Sequence, residues 1–115
     1  MKDINLLTKY LNHWQEELNL SDWDLSIRLT DFTRTDYEQT GDIEVDLENK
    51  KAVVLIANKE TGKAVNRVIL HELVHLLLWD LDHYAENQVA DKTEYLTLLE
   101  KTVEDITERI FKREE

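Results

Sequence analysis

The stretch from Val68 to Trp79 constrains this chain more than any other. It runs Val-Ile-Leu-His-Glu-Leu-Val-His-Leu-Leu-Leu-Trp, with no glycine or proline. A segment this apolar, free of helix breakers, reads as a buried helix. His71 and His75 stand four residues apart, and Glu72 follows the first. On an α-helix, residues i and i+4 lie one above the other on one face, so both imidazoles can point at a single ion. Glu72 leans toward the same side, within reach of a water on that ion. A chance match to the His-Glu-x-x-His spacing is expected in on the order of one in a few hundred chains of this length. Burying three such groups without partners costs roughly several kcal/mol, and a metal ion removes that cost.

Length and charge bound the rest. The 115 residues suit one domain built on one core. There are two glycines and no proline, so no linker stands out, and no repeat is visible. The first residues, Met1 to Asn5, hold no apolar run that would serve as a signal peptide. The apolar run around Leu76–Trp79 is far too short to span a bilayer. Cysteine is absent, which excludes disulfides and fits a reducing, cytoplasmic setting. The formal net charge of −11 argues against nucleic acid and anionic membrane as partners, since both need a basic surface. The same charge attracts divalent cations and basic peptides, or simply keeps the chain soluble.

Periodicity supplies the remaining elements. Ile4, Leu7, Leu11, Trp14 and Leu18 recur at spacings of three and four, which predicts a helix over Asp3–Leu18 capped by Asp3. Trp23, Leu25, Ile27 and Leu29 alternate with polar residues and predict a half-buried strand. Residues 31–39 are polar and read as a loop. Ile43, Val45 and Leu47 alternate with acidic residues in a second strand opened by Thr40-Gly41. Asn49-Lys50 is a turn. The run Ala52–Ala57, apolar throughout, suits a strand covered on both faces and forms a hairpin with the second. The sheet has three strands, or four if Phe32–Tyr37 adds one. The central helix then extends from about Ala64 to Trp79 or Leu81, capped by Thr61, with Asp80–Tyr84 as its end and the turn beyond. Ala85–Arg113 is one long helix, or two broken near Asp91–Thr93. Its buried stripe is Val89, Leu96, Leu99, Val103, Ile106 and Ile110.

A catalytic zinc takes three protein ligands and leaves one position open. The third must come from downstream, where His83, Glu86, Glu94 and Glu100 are available. Glu100 ranks first, because it falls between Leu96 and Val103 in the apolar stripe, where a carboxylate needs a cation. Glu94 falls away from that stripe. Glu86 opens the helical segment, where an acidic residue is explained by the helix dipole alone. His83 follows the active helix closely, with no glycine to turn the chain back. Glu104 lies one turn past Glu100, where it either fixes the tautomer of a ligand histidine or is plain surface charge.

With these residues in place, the chain resembles the gluzincin metallopeptidases, and in particular their smallest, minigluzincin-like members from bacteria, archaea and phages. Helix, small sheet, active helix and final helix match that minimal layout over nearly the whole chain. In specific residues the match covers His71, Glu72, His75 and Glu100. The resemblance implies an α+β, minimal zincin-like fold, with His71, His75 and Glu100 as ligands of one zinc ion and Glu72 as general base. It implies hydrolysis of peptide or protein substrates by a zinc-activated water. It also implies that substrate adds as a strand to the sheet edge beside the active helix, here Ile43–Leu47. In thermolysin-like relatives the downstream motif ends in aspartate, whereas Glu104 stands here. The oxyanion-stabilising residue of larger relatives has no clear counterpart; Tyr37, His83, Tyr84 and Arg67 are the choices. The expectation is a monomeric endopeptidase. The alternative is a zinc-binding module of the same fold with little or no peptidase activity. A dinuclear carboxylate site would need a second Glu-x-x-His pair on facing helices, and the chain has none.

Overall fold

The computed structural model describes residues 4–33, 39–60 and 62–113. Among them the chain is α+β, in the order α1 (Ile4–Glu17), β1 (Asp24–Thr30), β2 (Gly41–Asp46), β3 (Lys51–Ala57), α2 (Gly62–Leu77), α3 (Trp79–Gln88) and α4 (Lys92–Arg113). Asp3, Tyr37 and Thr61, singled out from the sequence, lie outside the described residues. So does most of the segment considered for a fourth strand. No helix among the described residues is long and apolar enough to cross a membrane.

Helix α1 forms on its predicted stripe: Leu7, Leu11 and Trp14 are buried, while Ile4 is left exposed. It ends where Asn19 takes a left-handed backbone, with φ of 56°, the C-terminal geometry that glycine and asparagine favour. The Gln15 side chain donates to the Leu20 and Trp23 carbonyls and steers the chain into β1. The buried Trp14 indole donates to Asn66 Oδ1 at 2.7 Å, which ties α1 to α2 and satisfies the one polar group of a large apolar ring.

The sheet is mixed, with order β1-β3-β2. β3 pairs parallel with β1 and antiparallel with β2. The unbroken apolar run of β3 therefore reflects its central place: Ala52, Val54, Leu55, Ile56 and Ala57 are all buried. The β2–β3 hairpin closes with Lys50 at a φ of 53° and with Asp46 accepting from the Asn49 backbone and side-chain amides. β2 is left as an edge. Its odd-numbered residues face α2, and its acidic ones, Asp42, Glu44 and Asp46, face away.

Two boundaries differ from the sequence expectation. Helix α2 stops at Leu77, and Asp80–Tyr84 is not a turn but part of α3. At the junction the Leu78 N–H is shared between the Val74 and His75 carbonyls at 3.2 Å each. Asp80 and Asp82 then sit in the first turn of α3, where acidic residues favour a helix start. The second break falls at residues 89–91, slightly before the expected position, because the Asp91 carboxylate caps α4 by accepting from the Glu94 N–H at 3.0 Å. Tyr95 of α4 donates to Asp82 of α3 at 2.8 Å. In α4, Val103 and Thr107 are fully buried, whereas Leu96, expected in the stripe, is exposed. Thr107 escaped the periodicity because it is polar; its hydroxyl donates to the Val103 carbonyl at 2.7 Å.

Gly41 sets how closely β2 approaches α2. A Cβ added there would lie 2.5 Å from Val68 Cγ1, 3.2 Å from the Leu55 carbonyl oxygen and 3.4 Å from Glu72 Oε2. Gly41→Ala is therefore expected to destabilise the fold by about 1–3 kcal/mol, with much of the loss recovered by Val68→Ala in the same chain. Urea denaturation of the three variants checks this; unchanged stability of Gly41→Ala would contradict the close approach.

Candidate metal centre

Helix α2 carries His71 and His75 on one face, their ring centroids 5.0 Å apart. Helix α4 crosses in front of that face. There the Glu100 carboxylate meets both rings: Oε1 lies 2.7 Å from His75 Nε2 and Oε2 lies 3.4 Å from His71 Nε2. One ligand atom from each of His71, His75 and Glu100 falls within 4.8 Å of the others. Tetrahedral zinc with ligands at about 2.0–2.1 Å separates its donor atoms by about 3.3–3.4 Å. Two imidazole nitrogens and a carboxylate oxygen are a donor set that such an ion accepts; with Glu100 oxygens at 2.7 and 3.4 Å from the rings, the closer pair would part slightly to admit it.

His71 has a second carboxylate. Glu104 Oε2 is 3.0 Å from His71 Nδ1, placed to accept the proton of that nitrogen, while Nε2 faces Glu100 in the cleft. Glu104 is itself held by the Arg67 guanidinium, which also grips Glu108. Arg67 lies one turn before His71, and Glu108 one turn after Glu104. The result is a chain of contacts from Arg67 through Glu104 to the His71 ring. Its signal in the sequence is the four-residue spacing of both series, which commits Arg67 to Glu104 and Glu108 rather than to an oxyanion.

Glu72 is buried and lines the same cleft, about 680 Å³ in volume, together with Gly41, Ile43, Val68 and Trp79. Burial, opposed by the His71 and His75 charges and reinforced by those of Asp42 and Glu100, pushes its carboxyl up to about 7. This is the range that suits a base working near neutral pH. Glu100 moves the other way. Hydrogen bonds from His71 and His75 hold it far below the ordinary carboxylate range, against its partial burial. Burial pulls His71 down, but the Glu100 hydrogen bond and the charges of Glu72, Glu100 and Glu104 outweigh it and leave the ring easier to protonate.

The other candidate ligands stand elsewhere. His83 Nδ1 is 2.8 Å from the Trp79 carbonyl, and its ring stacks on the Trp79 indole at 4.5 Å. Glu94 is exposed in the first turn of α4, and Glu86 lies on α3. Among the described residues none of the three joins His71 and His75 in a ligand group. Tyr84 is exposed on α3 and does not line the cleft. The burial argument for Glu100 needs correction. Its side chain is 60% exposed and stands at the edge of the α4 stripe, over the cleft, rather than inside the stripe. His71 and His75 are also partly accessible, and no buried side-chain nitrogen or oxygen among the described residues lacks a partner.

No protein-family model matches the chain, and no curated protein matches it. What the cleft can do follows from its side chains alone.

If Glu104 orients His71, Glu104→Ala is expected to weaken zinc binding by about 10–100-fold with the fold intact. Competition against a chromogenic chelator measures this, and wild-type affinity in the variant would remove Glu104 from the site.

Proposed function

We propose that this chain is a zinc-dependent peptidase of the gluzincin kind, holding one zinc ion through His71, His75 and Glu100 and acting on peptide or protein substrates in the cytoplasm. The observation that carries this reading is the convergence of three ligand atoms beside a buried carboxylate in one cleft. When bound, zinc would supply a water with a pKa of about 7 and a Lewis acid for the scissile carbonyl. Glu72 would accept the proton of the attacking water and deliver it to the leaving amine. Its burial in the cleft places that carboxylate where it can pass a proton without competition from bulk water. Glu104 and Arg67 keep the His71 ring in register. The open edge of β2 runs beside the cleft, where an extended peptide can add as a further strand.

A second reading, a zinc-binding module of this fold with little hydrolytic activity, has one observation in its favour. Beyond the two ligand rings, no histidine or tyrosine among the described residues lines the cleft. Arg67, which does line it, is committed to Glu104 and Glu108.

Glu72→Gln separates these readings. The variant should bind zinc with the wild-type stoichiometry and lose at least about 10²-fold in cleavage of a quenched peptide library. Cleavage by the variant at the wild-type rate would refute the mechanism. A zinc-loaded wild-type chain that cleaves nothing in the library would favour the binding module.

A further inference from the structure

The edge of β2 beside the cleft is partly covered by the chain's own side chains. The Ala57 N–H donates to the Thr40 carbonyl at 2.9 Å, and Gly41 pairs with Ile56 in the antiparallel register. Hydrogen-bonded and non-bonded pairs alternate along such a ladder. Thr40, Asp42 and Glu44 therefore turn their backbone groups inward to β3, and Gly41, Ile43 and Val45 turn theirs outward to the open edge. Two of these outward groups are occupied. The Ile43 N–H donates to Asp42 Oδ1 at 2.8 Å, and the Gly41 carbonyl accepts from Gln39 Nε2 at 3.3 Å. Exposed edges invite pairing with any passing strand, and covering their polar groups discourages it.

The three acidic residues on the far face of β2 differ in their partners. Glu44 pairs with Arg28 across β3 at 3.1 Å. Asp46 accepts from Asn49. Among the described residues Asp42 has no cationic partner, and its carboxylate rests on the Ile43 N–H. It also lines the cleft that holds His71, Glu72 and His75. Around it the cleft is lined by Glu60 and Glu100, while its arginine, Arg67, is neutralised by Glu104 and Glu108. A strand laid against β2 would place one side chain directly across from Asp42 on the far face, where opposite charges attract.

We propose that Asp42 determines specificity: it caps the Ile43 N–H in the free chain, and an extended peptide with a basic side chain opposite Asp42 draws the carboxylate away and takes the freed N–H with its own carbonyl. A neutral strand has to displace the cap without compensation, and an acidic one is repelled. The inference rests on the proposed peptide-binding role of the cleft, but not on hydrolysis.

The test uses the zinc-loaded full chain carrying Glu72→Gln, so that binding is read without turnover. Two fluorescently labelled decapeptides of alanine and serine are compared by anisotropy at low salt, one with a central arginine and one with glutamate there. The arginine peptide should bind about fivefold tighter or more, as an exposed charge pair allows, and added salt should narrow the gap. With Asp42→Asn added, the ratio should fall to near one, and the Ile43 amide should exchange faster with deuterium in the peptide-free chain. Equal affinities, no binding of either peptide, or a ratio that survives Asp42→Asn would each overturn the inference. Cleavage of the same peptides by the chain with Glu72 intact is a separate readout. A selective chain that does not cleave would leave Asp42 in its role and remove the peptidase.

Discussion

Two helix faces with the same four-residue period meet across the site, and most of the structure serves to keep them opposed. On α2 the series is Arg67, His71, His75; on α4 it is Glu108, Glu104, Glu100. The helices run in opposite directions, so each basic or ring group meets one or two carboxylates: Arg67 takes Glu108 and Glu104, His71 takes Glu104 and Glu100, and His75 takes Glu100. This polar ladder is expensive to assemble in a partly buried seam unless every rung is satisfied. It is satisfied among the described residues, and its last two rungs are where an ion can enter.

The remaining faces of α2 hold the ladder in place. Val65, Ile69 and Leu73 recur at the same four-residue interval one step around the helix, and with Leu70 and Val74 they are fully buried in the core. Their partners are the central strand β3 and α1, the latter tied through Trp14 and Asn66. Removing a large side chain from such a position costs about 2–5 kcal/mol, so the rotational setting of α2 is fixed by packing rather than by the polar groups. On α4, Val103 and Thr107 anchor the opposite side of the seam. The histidines are thus presented by a rigid element, and Glu100 arrives from one whose far surface faces solvent. Gly41 completes the arrangement by letting the edge strand come close enough for Glu72 to face it.

Much of this was legible in the sequence because periodicity is a strong signal where one face is apolar. The strands β1 and β2, the helices α1 and α2 and the ligand spacing all follow from it. Glu100 does stand beside the two rings, but the stripe explains this incompletely: it locates the seam, yet Leu96 and Glu100 itself stand at its exposed margin. The break after Leu77 had no sequence mark, since no glycine or proline falls there and the change rests on one shared N–H. The parallel pairing of β1 with β3 depends on how the chain crosses over, which alternation within a strand does not encode. Side chains that act through others were also hidden. Arg67 is an ordinary surface cation until Glu104 and Glu108 are placed before it, and Asp42 is one of several alternating acids until the register turns the Ile43 N–H outward.

The central claim is that the ladder between α2 and α4 ends in a zinc site made by two Nε2 atoms and one carboxylate. Anomalous diffraction at the zinc edge, from crystals of the zinc-loaded chain, tests it directly. The account predicts one strong peak per chain, within about 2.0–2.2 Å of His71 Nε2, His75 Nε2 and a Glu100 oxygen, with Glu104 still on His71 Nδ1. A peak bound through His83, Glu86 or Glu94 in place of Glu100, or no ordered zinc between the two histidines, would contradict it.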